Sequence, residues 1–232
     1  MWRITKINCV FALALFLGSG AIAQDATVQE GGRYISETDT LQFSDQVYGN
    51  VANYFANVQE LLDFFAFETG QVVAEVGAYD GQNLAGFALL TDGMIYYAQD
   101  INADYLSQKS LDKVLQRNQK IKPERTNEFH WVIGTEKATN LPDKHFDKII
   151  MISAFHEFTY MDAMITDIES KLKSNGQLII LETDCLTPGH RNYTLAETTA
   201  LMAKYLFVLR EVDATNHNGS TGMYKAIYQK QQ

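Results

Sequence analysis

The chain has 232 residues, a formal net charge of −9 and 20% charged residues, with 46% of its residues hydrophobic. That length and apolar content suit one α/β domain with a buried sheet. The acidic balance argues against nonspecific nucleic-acid binding, which needs Lys and Arg to neutralise phosphates, so no nucleic-acid partner is expected.

The first 23 residues read as a secretory signal peptide. Arg3 and Lys6 form a positive start, Val10–Leu17 a short apolar core, and Ala21-Ile-Ala23 a small-residue cleavage pattern before Gln24. The core is too short to span a bilayer, and no later stretch is long and apolar enough. Without Arg3 and Lys6, 17 basic residues face 28 acidic ones, a net −11. Cys9 leaves with the signal, so Cys185 has no partner for an intrachain disulfide. The expected location is periplasmic or secreted.

Residues 24–40 are polar and glycine-containing and read as a flexible leader. A single domain is expected over 41–232, opening with helices in 41–69. Val47, Val51, Tyr54, Phe55 and Val58 form an amphipathic stripe, and a second helix is expected over Gln59–Phe67, before Gly70.

The stretch that organises the rest is Val72-Val-Ala-Glu-Val-Gly-Ala-Tyr-Asp-Gly81, an apolar strand that reaches Glu75 and breaks into a turn. Gln82–Leu90 then reads as a helix. Strand, glycine turn and helix start make the local geometry of a nucleotide cradle, where backbone N–H groups face the ligand. The pattern E-x-G-x-x-x-G is not the dinucleotide fingerprint, and an ordinary α/β turn is the alternative reading. Beyond it, elements alternate: strand Met94–Ala98, helix Ala103–Gln119, strand Phe129–Ile133, strand Phe146–Ile152, helix Tyr160–Lys173, a break at Ser174-Asn-Gly176, strand Gln177–Leu181 and helix Leu195–Tyr205. Phe207–Val212 and Met223–Tyr228 have no helix between them and must pair antiparallel. This order predicts an α/β fold, a doubly wound, seven-stranded, mostly parallel Rossmann-like sheet closed by a C-terminal hairpin.

With these elements in place, the chain resembles the class I S-adenosylmethionine-dependent methyltransferases over Gln71–Gln229. Four features carry the likeness: the turn Glu75–Gly81; Asp100, 25 residues after Glu75; Asn140-Leu-Pro-Asp-Lys-His-Phe-Asp147; and Leu172-Lys-Ser-Asn-Gly-Gln-Leu-Ile-Ile180. The resemblance implies S-adenosylmethionine as cofactor and a small-molecule or lipid-like methyl acceptor. It implies that Glu75, Gly77, Ala78, Tyr79 and Gly81 hold the methionine part, and that Asp100 accepts the ribose hydroxyls. It further implies that Ile101 packs on adenine, that Thr135 and Glu136 lie at the adenine edge, and that Ser153 and Ala154 lie under the reacting methyl. Two departures stand out. Tyr79 occupies a position where the family usually has a third glycine, and Thr135 stands where an acid is common.

His156 and Glu157 follow the fourth strand, where such proteins often face the acceptor; His156 is the better general base, because its ordinary pKa lies near neutrality. The competing reading is a histidine that only orders its loop. No short metal-ligand spacing occurs among His130, His145, His156, His190 and His217, so no metal is expected. A set of Glu182, Asp184, Cys185 and His190 reads more simply as loop polarity. A second functional class stays open, a noncatalytic exported protein that keeps this fold and binds a ligand. Export itself has a direct check: mass spectrometry of the protein from its host should find a mature end near Gln24, and a bulk Met1 terminus in the cytoplasm would overturn it.

Overall fold

The computed structural model describes residues 28–30, 33–35, 51–119, 121–183, 193–214 and 223–231. The chain divides into two compact units, Met1–Glu60 and Leu61–Gln232. The boundary between them falls inside the helix α1 (Val51–Phe65). Within the first unit, β1 (Val28–Glu30) and β2 (Arg33–Ile35) pair as a short antiparallel hairpin inside the segment expected to be a plain leader. The expected signal residues and Val47 lie outside the described residues.

The region expected to hold two helices is one, since α1 runs unbroken through Gln59. Its end is fixed by Lys148, whose Nζ donates to the carbonyls of Phe65 and Ala66 at 2.5 and 2.6 Å. Helix ends leave such carbonyls without intrahelical partners, and a cation there also meets the negative end of the helix dipole. Burial pulls the Lys148 pKa below its ordinary value, with Glu68 and then Asp147 opposing that shift. Around this cap, Phe65 and Phe67 meet Phe87 edge-on at 5.7 and 5.9 Å.

The second unit is built on a seven-stranded sheet: β3 (Val72–Val76), β4 (Ile95–Asp100), β5 (Glu128–Ile133), β6 (Phe146–Ile152), β7 (Leu172–Thr183), β8 (Phe207–Asp213) and β9 (Met223–Lys230). Their spatial order is β5-β4-β3-β6-β7-β9-β8. The five strands β3 to β7 are parallel, and β9 runs antiparallel to both β7 and β8, as the missing helix required. Every residue of β3 is buried, which is why that strand is an unbroken apolar run apart from Glu75. From β3 the chain winds outward through β4 and β5, then returns to place β6 on the other side of β3. The strand order therefore switches direction between β3 and β6, the position where open α/β sheets hold ligands.

The connecting helices are α2 (Gln82–Leu90), α3 (Gln108–Gln119), α4 (Met161–Lys171) and α5 (Leu195–Lys204). Leu84 to Leu89 are all buried, so α2 lies against the sheet without a polar face. Its last carbonyls are taken by Asn127, which donates to Ala88 and Thr91 and accepts from the Met94 N–H. A capping box between Thr194 and Glu197 starts α5.

Two boundaries differ from expectation. The α3 helix starts at Gln108 rather than Ala103. Asp100 and Asn102 each accept an N–H two residues on, and these local turns compete with helix. Ser107 and Ser110 then exchange hydrogen bonds at the true start. After α4 no break separates helix from strand: β7 begins at Leu172, opposite Phe146. Ser174-Asn-Gly176 is absorbed as an irregularity within the β6–β7 pairing, between Phe146 and Lys148.

Lys148→Met keeps most of the apolar stem but leaves two helix-end carbonyls without a charged donor. It should lower the unfolding free energy by about 1.5–3 kcal/mol, the range for hydrogen bonds to charged groups. Chemical denaturation gives the value; an unchanged midpoint would mean that solvent satisfies that helix end.

Candidate functional site

The site starts where β3 runs out. Gly77 has a positive φ of 80°, and a Cβ added there would lie 2.5 Å from the Ala154 Cβ at the end of β6. No side chain fits, so the two strand ends close on each other. The N–H groups of Gly77 and Ala78 both donate to the Gln99 carbonyl at 2.9 Å, which ties the turn to β4. Gly81 caps α2 with a left-handed backbone (φ 84°).

Beneath this turn lies Glu75, with 0% of its surface exposed. Asn83, in the first turn of α2, reaches back to its Oε1 at 2.7 Å, while Oε2 is buried without a partner. Burial pushes the carboxyl pKa up to about 8; the Asn83 hydrogen bond opposes this, and the charges of Asp80 and Asp100 reinforce it. Ser153, at the end of β6, has a positive φ of 50°, and its buried Oγ likewise lacks a partner. Its N–H donates to the Leu181 carbonyl, which fastens the β6 end to β7.

Asp100 stands at the end of β4. Its Oδ2 accepts from the Tyr79 N–H at 2.9 Å and its Oδ1 from the Asn102 N–H at 2.8 Å. The carboxylate is thus oriented by backbone on both oxygens, and each keeps lone-pair capacity for another donor. Tyr79, at the place of the family's third glycine, takes a left-handed φ of 56°. Its ring lies 4.5 Å from that of Tyr105, so the tyrosine folds away onto the loop after β4. Ile101 beside it is 53% exposed, an apolar surface next to Asp100.

Thr135 and Glu136 are less tightly joined to this group. The Thr135 hydroxyl accepts from the N–H groups of Lys137 and Ala138, making a local turn, and Glu136 is exposed on it. Their link to the rest is the Gly134 N–H, which donates to the Asp100 carbonyl at 2.9 Å.

His156 and Glu157 lie on a single 3₁₀ turn, Phe155–Glu157, directly after Ala154. The His156 side chain is 9% exposed. Its Nδ1 is 3.0 Å from both oxygens of Glu182, and its Nε2 is 3.3 Å from Glu157 Oε1. Burial lowers the His156 pKa, but the Glu182 hydrogen bond and charge, followed by Glu157, outweigh it and leave it above the ordinary value.

Sequence reasoning did not assign three neighbours of these residues, and Glu182, set aside there as loop polarity, lies instead on β7. Asn83 orients Glu75, the Gln99 carbonyl anchors the glycine turn, and Glu182 grips His156. Only Glu182 left a signal, an acid at the end of an apolar strand. Among the described residues no cluster of His, Cys, Asp and Glu suits a metal ion. Asp184, Cys185 and His190 lie outside the described residues.

Residues 74–180 match the family model of the methyltransferase domain. An S-adenosylmethionine-dependent methyltransferase from Aquifex aeolicus superposes with a TM-score of 0.57 at 16% identity, over 74% of this chain and 88% of that one. Magnesium protoporphyrin IX methyltransferase from Synechocystis, solved with bound S-adenosylmethionine, gives 0.56 at 15% identity, over 77% and 80% of the two chains. A Haemophilus influenzae protein is 38% identical over 56 residues, a stretch that is 24% of this chain and only 22% of that protein. Over residues 74–180 the chain is thus similar to the methyltransferase domain, and its fold is that of these S-adenosylmethionine-dependent methyltransferases.

The raised Glu75 pKa makes a signed prediction. Between its ordinary 4.5 and about 8, the folded protein keeps this proton while the unfolded chain releases it. The folded state then binds more protons, so this group's stabilising share falls as pH rises through that window and levels off above it. Glu75→Gln should flatten that part of the profile, measured as melting temperature from pH 5 to 9. Parallel profiles for the two proteins would mean that Glu75 does not carry the proton.

Proposed function

We infer that this protein is an exported methyltransferase that uses S-adenosylmethionine and acts on a small or lipid-like acceptor. The observation that carries the reading is the pair of buried, unpartnered oxygens, Glu75 Oε2 and Ser153 Oγ, at the strand switch beside a turn too tight for side chains. A buried polar atom without a partner is costly, and a ligand bearing an ammonium group and a polar chain relieves that cost. The methionine end of the cofactor has that chemistry, so the residues present fit it.

In this reading Glu75 and the Gly77–Gly81 turn, with Ala78 and Tyr79, hold the methionine part. Asp100 offers its remaining lone pairs to the two ribose hydroxyls, Ile101 gives an apolar face to adenine, and Thr135 and Glu136 border the adenine edge. Ser153 and Ala154 floor the position of the reacting methyl. The cofactor supplies a methyl group activated on a sulfonium; the chain supplies position and charge. His156, at the mouth past Ala154, takes the proton that an acceptor must lose, and Glu157 borders the same opening.

Export is supported by the Arg3/Lys6 start, the Val10–Leu17 core and the Ala21-Ile-Ala23 pattern. Among the described residues no helix is long and apolar enough to cross a membrane.

Calorimetry with S-adenosylhomocysteine tests the cofactor site. Wild type should bind, and Asp100→Ala should bind more weakly by about 1.5–3 kcal/mol, as expected for lost hydrogen bonds to a charged group. No binding by wild type, or equal affinity for the two proteins, would overturn the reading.

A further inference from the structure

We propose that Glu182 is the positioning residue for His156, holding the ring so that Nδ1 carries the hydrogen and Nε2 is the nitrogen left to accept a proton. The inference rests on the methyltransferase reading above for what Nε2 receives, but the hold itself is a property of this chain.

Glu182 is the penultimate residue of β7 and is 1% exposed. Both of its oxygens lie 3.0 Å from His156 Nδ1, and Oε2 also accepts the His156 backbone N–H at 3.3 Å. One carboxylate therefore grips both ring and backbone of the 3₁₀ turn. The 3₁₀ turn that carries His156 follows directly on the end of β6, which the Ser153–Leu181 hydrogen bond fastens to β7 beside Glu182. An ionised carboxylate has only acceptors, so the single hydrogen of the neutral ring goes to the nitrogen that the buried carboxylate holds most closely, Nδ1. A histidine whose one nitrogen is fixed in this way has its basic lone pair on the other, the same logic by which a buried acid sets the tautomer of a catalytic imidazole.

The other nitrogen has a different setting. Nε2 lies 3.3 Å from Glu157 Oε1, a longer contact with a side chain that is 57% exposed, against 3.0 Å from Nδ1 to the buried Glu182; the Glu157 contact is the one that an acceptor displaces. Among the described residues, the groups that set the charge on the ring are Glu182 from β7 and Glu157 from the ring's own turn. On β9, Tyr224 stands opposite Glu182 in register, with its hydroxyl 2.7 Å from that of Thr198.

The proton step balances simply. The acceptor's O–H or N–H hydrogen moves to the Nε2 lone pair, the bond pair stays on the heteroatom as a nucleophile, and the resulting imidazolium lies between two carboxylates. This assigns the acceptor to the class that has a proton to lose, a hydroxyl or an amine.

The test is ring NMR on the full chain, with isotope-labelled histidine and the His156 signal assigned by His156→Gln. Wild type should show the Nδ1–H tautomer and titrate above the ordinary value of about 6.5. Glu182→Gln should lower that midpoint by about 1 unit or more and mix the tautomers, because an amide oxygen carries no charge to favour imidazolium. Glu157→Gln should lower it less and leave the tautomer as it was. An Nε2–H tautomer in wild type, or a Glu182→Gln ring that titrates like wild type, would overturn the proposal. Should Glu182→Gln not fold, the wild-type tautomer decides alone. The parallel calorimetry separates the two levels. Wild type that binds S-adenosylhomocysteine yet carries its hydrogen on Nε2 overturns Glu182's role only. Wild type with the expected ring but no binding overturns the methyltransferase reading, and the proton transfer with it.

Discussion

The approach of Gly77 to Ala154 is the constraint on which the site depends. Two parallel strands whose connections leave in opposite directions open a crevice at their ends. Here the floor of that crevice is backbone against a methyl, with no room for one more carbon. The left-handed turn that this requires points the Gly77 and Ala78 N–H groups back at Gln99. That bond draws the end of β4 inward and sets Asp100 where the Tyr79 N–H can meet it. A single steric condition thus fixes strand ends on three neighbouring strands.

The three acids at the carboxyl edge show three ways of keeping a carboxyl group out of bulk water. Glu75 keeps a proton over part of the ordinary pH range, because its surroundings offer one amide and no cation. Asp100, only partly buried, is met by two backbone N–H groups from two loops. Glu182 is matched by a histidine ring and that residue's own N–H. Each solution leaves different chemistry available: an unpartnered oxygen, a pair of oriented acceptors, and a ring nitrogen with a fixed partner. The differences follow from what the neighbouring strand presents at the same level, not from the acids themselves.

Tyr79 shows how a departure from a family pattern is accommodated. A left-handed turn costs a non-glycine residue roughly 1–2 kcal/mol. In return the Tyr79 N–H binds Asp100, and the ring gains an aromatic partner in Tyr105. The turn directs the ring onto the β4–α3 loop, where Tyr105 lies. The same loop begins with Asx turns at Asp100 and Asn102, which is why its helix starts late.

The sequence by itself determined the alternation of strands and helices, the parallel core with its closing antiparallel pair, and the strand-end residues Glu75, Gly77, Asp100 and Ser153. Those features are local: apolar runs, turn residues and the spacing between them carry the information. It could not fix where α3 begins or whether Gln59 breaks a helix, because there local hydrogen bonds and a distant cap decide. Lys148 ends α1 from a strand more than eighty positions away, at |i−j| of 82 and 83. Only tertiary structure paired His156 with Glu182, 26 residues apart, or set Asn83 against Glu75. Such pairs depend on the register between strands and on which way each strand end turns, and no pattern of residue types along the chain encodes either. The composition shows that the acids exist; the packing decides which of them is left with a proton, which with two backbone donors, and which with a histidine.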